Sequence, residues 1–102
     1  MFSTRVDTEG GTRICRLSGE LDSFTAAALR EVLAGLASVR AVVLDLSGVV
    51  FIDSSGLGAL VGGVRRAREL GGAVALASPT RAVDRVLRVA GLDRIVAITA
   101  TV

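Results

Sequence analysis

The chain has 102 residues, 51% of them hydrophobic, which suits one compact domain with an aliphatic core. Its formal charge is +2, and three Phe with no Trp or Tyr leave few rings to stack on nucleic-acid bases. There is no His and no Lys. That excludes Ser-His-Asp and Cys-His sites, Ser-Lys dyads, Schiff bases and Lys-bearing phosphate loops.

One Cys, Cys15, allows neither an internal disulfide nor an ordinary structural zinc site. Between Ile14 and Arg16 in a strand-like pattern, it is expected to be a small core hydrophobe. A carboxylate-only Mg²⁺ site using Asp45 and Asp53 is the one metal chemistry left open. The N-terminus is too polar for a signal peptide, and no apolar run reaches the ~18 residues of a membrane span. A soluble, cytoplasmic protein is expected, with no nucleic-acid partner, no membrane partner and no cofactor.

In chain order, residues about 2–7 and 12–18 alternate apolar and polar around Glu9-Gly10-Gly11, the pattern of a β-hairpin. Gly19-Glu20-Leu21-Asp22 closes the strand region. Asp22 or Ser23 is a candidate cap for a helix carrying Phe24, Ala27, Ala28, Leu29, Val32, Leu33 and Leu36, with Gly35 as a stop. Residues 40–46 form a near-continuous apolar run, expected of a strand buried on both faces. Ser47-Gly48 is expected to bend the chain, and Val49–Ile52 to end a buried segment.

A helix from about Ser54 to Leu70 ends at Gly71-Gly72. Its Arg65, Arg66 and Arg68 are expected on a solvated face rather than in a nucleic-acid patch. Ala73–Ala77 is a short buried strand. Ser78 is a candidate cap and Pro79 a first-turn residue of the next helix. That helix carries apolar Val83, Val86, Leu87 and Val89 against polar Arg81, Arg85 and Arg88, and stops at Gly91. Ile95–Ile98 reads as the last strand. The order ββαβαβαβ predicts a single α/β domain: one mixed, mostly parallel sheet with helices packed against it.

The seam between the third strand and the second helix, Asp53-Ser54-Ser55-Gly56-Leu57-Gly58, is where chemistry is expected. Such junctions lie at the carboxyl ends of strands, where sites form. The helix start has free N–H groups and a partial positive charge. Asp53 is expected to cap Ser55 and Gly56. Gly56 and Gly58 clear side chains from the first turn, so that another molecule can approach the backbone. Gly58 and Gly62, one turn apart, are expected to seat the helix on the sheet. A phosphate on a seam serine would meet helix N–H groups and add about −1.5 to −2 charge beside Asp53 and Asp45. The surface would keep its shape and change its electrostatics.

Three stretches carry a family resemblance. "LDLSGVVFIDSSGLGAL" resembles the signature of the STAS-domain anti-sigma-factor antagonists. "GELDSFTAAALREVL" and "ASPTRAVDRVLRVAGLDRIV" are similar to two further stretches of the same family, in the same order. The resemblance spans most of residues 17–98 and implies one STAS domain over residues 1–102. It implies that Ser55, rather than its neighbour Ser54, is phosphorylated by an anti-sigma factor that is also a serine kinase. The unphosphorylated form would bind that kinase and free the sigma factor, and a PP2C-type phosphatase would reset the cycle. The implied partner-binding surface runs from Asp22 and Ser23 to Asp53, Ser54, Ser55, Gly56, Leu57 and Gly58. This describes a binding protein rather than an enzyme.

The resemblance also implies an alternative: a STAS module of a signalling assembly or transport complex, or a nucleotide-binding STAS domain. A third class, an acyl-carrier-like protein using the Asp-Ser-Ser-Gly-Leu serine, conflicts with the strand patterns and the positive charge. Family members usually continue past the last strand into a closing C-terminal helix, whereas these residues stop at Thr101-Val102. Whether that helix is absent or truncated, the sheet face left uncovered would be apolar and open to homodimerisation.

Overall fold

A computed structural model describes residues 2–102. The strands are β1 (Ser3–Glu9), β2 (Thr12–Leu21), β3 (Ala41–Ile52), β4 (Ala73–Ala77) and β5 (Ala97–Thr99). The helices are α1 (Ala26–Leu36), α2 (Ser54–Glu69) and α3 (Arg81–Val89), with a 3₁₀ turn at Leu92–Arg94. The predicted ββαβαβαβ order and single α/β domain hold. The sheet order is β1-β2-β3-β4-β5; β1 and β2 are antiparallel and every later pair is parallel.

Because the parallel strands follow one another across the sheet, right-handed crossovers put α1, α2 and α3 on a single face. The core agrees. Leu17, Leu44 and Leu76 of the sheet join Leu29 and Leu33 of α1, Leu60 and Val64 of α2, and Val83 and Leu87 of α3 in one cluster. Cys15 belongs to it, fully buried, and burial pushes its thiol pKa up.

Part of the reverse face carries ion pairs in place of the apolar surface expected. Arg16 Nη1 lies 2.6 Å from Asp7 Oδ2 and its Nε lies 3.4 Å from Asp45 Oδ2, while Arg5 Nε is 3.4 Å from the same Asp7 oxygen. Asp45 is only 6% exposed, and its Oδ1 also accepts from Ser47 N at 2.9 Å. Around these ions lie small or half-buried side chains such as Val43 and Ala75. The expected burial of residues 40–46 on both faces is therefore complete only on the helix side.

Several local expectations are corrected. Ser47-Gly48 does not break the strand, because the β2–β3 register shifts between Arg16 and Ser18 and the extra β3 residue is absorbed as a bulge. A second shift, between Gly19 and Glu20, leaves Val50 without a partner in β2. Val50 and Phe51 are consequently 68% and 49% exposed, while Val49 and Ile52 stay buried. Gly35 lies inside α1 rather than ending it; the cap is Ala37. The α3 cap is Thr80, whose Oγ1 accepts from Val83 N at 3.3 Å. Ser78 instead takes a positive φ of 55° and its hydroxyl donates to Ala100 O, leaving Pro79 ahead of the helix. Val89 is 84% exposed, so only Val83 and Leu87 of α3 are fully buried. The last strand begins two residues later than expected, since Leu92–Arg94 winds into the 3₁₀ turn and Val96 N bonds to Leu92 O.

Candidate functional site

Two parallel strands ending together build the seam. Leu21 and Ile52 are paired in the β2–β3 register, so Asp22 and Asp53 each stand one residue past the end of neighbouring strands. Asp53 N donates to Leu21 O at 3.0 Å, fastening the two ends. Each aspartate then folds back on its own chain. Asp53 Oδ1 accepts from Ser55 N at 2.9 Å and Gly56 N at 3.0 Å, capping α2 as expected. Asp22 Oδ1 accepts from Phe24 N at 2.9 Å and Thr25 N at 3.1 Å. Asp22 is thus the cap of a turn preceding α1; neither it nor Ser23 is the helix N-cap, which is Thr25. The Thr25 hydroxyl donates to Glu20 O at 2.7 Å and pins this turn to the end of β2.

The glycines divide differently from the expectation. A Cβ on Gly56 would sit 2.1 Å from Leu21 O and 2.4 Å from Leu21 C. Gly56 is required so that α2 can start against the backbone of β2; its close contact is internal, and an outside molecule does not meet it. Gly58 and Gly62 have nothing within 4 Å of an added Cβ, so neither seats the helix. Gly63 does: its Cβ would meet Leu33 Cδ1 at 2.4 Å, which marks the close approach of α2 to α1. Both positions look alike in sequence, and only the register of helix on sheet separates them.

The remaining residues form the outer surface. Ser54 is exposed and Ser55 half-buried, in the first two positions of α2. Ser23 and Gly58 are exposed and Leu57 is half-buried. Asp45 is not at the seam. It lies eight residues up β3, ~26 Å along an extended strand, and its carboxylate is held by Arg16 and Ser47. Asp45 and Asp53 therefore cannot share a cation, and no group of three or more His, Cys, Asp or Glu among the described residues could hold a metal ion.

Phe24 is a surface residue that its spacing in the sequence conceals. The helical spacing places it on the buried face of α1, but it precedes the helix and is 93% exposed, two residues from Asp22. Phe51, exposed by the second bulge, lies two residues before Asp53. The rim of the seam thus combines two carboxylates, the three hydroxyls of Ser23, Ser54 and Ser55, and the exposed ring of Phe24.

The match to the STAS domain family model covers residues 3–102. The chain belongs to the STAS domain family. It is 36% identical over 91 residues to an anti-sigma F factor antagonist of Paenibacillus polymyxa, covering 86% of this chain and 78% of that one. With an anti-sigma-B factor antagonist of Bacillus subtilis (strain 168) it shares 34% identity over 85 residues, covering 82% and 78% of the two chains. The crystal structure of an anti-sigma factor antagonist from Mycobacterium paratuberculosis superposes with a TM-score of 0.90 at 29% identity, covering 100% of this chain and 88% of that one. No helix among the described residues of this STAS domain is long and apolar enough to cross a membrane.

Proposed function

We propose that this STAS domain is an anti-sigma-factor antagonist whose seam docks an anti-sigma factor serine kinase, and that phosphorylation of Ser55 by that partner ends the complex. A PP2C-type phosphatase would restore the binding form. The observation that carries this reading is the state of the first turn of α2. The Ser55 hydroxyl stands near the positive end of a 16-residue helix, while the N–H groups of Ser55 and Gly56 are already taken by Asp53.

Asp53 competes with a phosphate for those N–H groups. A phosphoryl group on Ser55 finds Asp53 in their place. It would gain the helix dipole, but not the two hydrogen bonds, and would stand as a dianion beside Asp53 and Asp22. An acidic group of a partner docked at the seam would then be repelled, while the packing below stays as it is. The exposed ring of Phe24, two residues from Asp22, supplies apolar contact on the same surface. The names of the relatives, anti-sigma F and anti-sigma-B factor antagonists, support this role.

The test is incubation with anti-sigma kinases and ATP, with the phosphosite located by mass spectrometry. Phosphate should appear on Ser55 and be lost in Ser55→Ala. Phosphate on Ser54, or undiminished uptake by Ser55→Ala, contradicts the assignment.

A further inference from the structure

The free edge of β1 is complementary to itself. Gly10 and Gly11, at φ 57° and 86°, make a two-residue hairpin turn, so Glu9 and Thr12 form the hydrogen-bonded pair next to it. Hydrogen-bonded positions then alternate along β1. Ser3, Arg5, Asp7 and Glu9 bond to β2, while the backbone N–H and C=O groups of Thr4, Val6 and Thr8 point outward at the sheet edge. The opposite edge of the sheet, β5, has only 3 residues against the 7 of β1.

We propose that β1 pairs antiparallel with β1 of a second copy of this chain, about a two-fold axis through Val6. In that register Val6 faces Val6, Thr4 faces Thr8, and Arg5 faces Asp7, twice by symmetry. The outward backbone groups of Thr4, Val6 and Thr8 form about six inter-chain hydrogen bonds. Arg5 and Asp7 fall at non-hydrogen-bonded positions, where opposite side chains come closest. The two neighbouring in-phase registers are rejected by charge, since one sets Arg5 directly on Arg5 and the other Asp7 on Asp7. Arg5, paired in the single chain with its own Asp7 at 3.4 Å, has a side chain 76% exposed that can exchange to Asp7 of the second copy, and Val6 is 45% exposed at the centre. The axis stands perpendicular to the sheet. It leaves all the helices on one face and the two seams at opposite ends of a continuous sheet, both open. The expected occupant of this edge is a second copy, since charge, hydroxyl and apolar pairs all match in one register.

A seven-residue edge buries little surface, so the dimer should be weak and populated only at high micromolar to millimolar concentration. Sedimentation velocity up to about 1 mM should show wild type moving from monomer to dimer. Val6→Pro deletes an outward N–H that β2 does not use, and should leave a monomer with unchanged circular dichroism. Thr4→Lys/Thr8→Lys and Thr4→Glu/Thr8→Glu should each stay monomeric through like-charge pairs, yet form heterodimers when mixed. These carry the test even if the proline variant misfolds. Wild type that stays monomeric throughout, a dimer that survives in the folded Val6→Pro variant, or charged variants that fail to pair on mixing would each overturn the proposal.

Discussion

Replacing Gly56 by Ala should damage the domain, although Gly→Ala inside a helix ordinarily stabilises by about 0.5–1 kcal/mol. The added Cβ would lie 2.1 Å from Leu21 O and 2.8 Å from Leu21 Cβ, so the first turn of α2 must retreat from β2 by nearly 1 Å. Overpacking of this kind costs about 1–3 kcal/mol. Weakening the 3.0 Å bond from Asp53 N to Leu21 O adds about 1 kcal/mol. The helix-propensity gain offsets roughly that last amount, leaving a net loss of about 1–3 kcal/mol. For a domain of this size that is roughly 5–20 °C in Tm. Gly58→Ala is the internal control: two residues along the same helix, with nothing within 4 Å of the new Cβ, it should gain about 0.5–1 kcal/mol. Thermal and urea unfolding of the two variants beside wild type reads the sign directly. If Gly56→Ala melts at or above the wild-type temperature, α2 does not begin against the backbone of β2 and the geometry of the seam is wrong.

Asp53→Ala should cost about 1 kcal/mol by uncapping α2, seen as a lower urea midpoint with an unchanged m-value. Cys15 should resist thiol reagents in the native state and react at once in denaturant. Its folded pKa is raised above the ordinary 9.0 because burial disfavours the thiolate. The unfolded chain then loses that proton first, so this group's contribution is constant below pH 9 and stability falls as the pH climbs past it. A Cys15→Ala variant should lose this alkaline slope, which stability curves from pH 8 to 10.5 would reveal.

The sequence made some of this structure legible and hid the rest for identifiable reasons. Asp53 could be read as the cap of Ser55 and Gly56 because capping depends on two or three adjacent residues. The strand and helix order was legible because burial on one face imposes a period. The exposure of Val50 and Phe51 was not, since it follows from two register shifts against β2, a relation between strands that no local pattern encodes. Phe24 has helical spacing but precedes the helix, because Asp22 and Thr25 hold a separate turn first. Gly56 and Gly63 could not be told from Gly58 and Gly62, since which glycine meets Leu21 or Leu33 depends on how α2 is rotated on its neighbours. At α3, both Ser78 and Thr80 are residues that cap; the positive φ of Ser78 gave the place to Thr80.

The central claim is that a phosphoryl group on Ser55 changes what can dock at the seam while the domain below it stays the same. Calorimetric titration of an anti-sigma kinase with unmodified and Ser55-phosphorylated protein, alongside melting curves of both, tests it most directly. A dianion about 4 Å from one partner carboxylate costs about 2 kcal/mol even at the dielectric of water, so affinity should fall at least ~30-fold. The two Tm values should agree within a few degrees. Equal affinities, or a phosphorylated form that loses binding only because it has unfolded, would contradict the account.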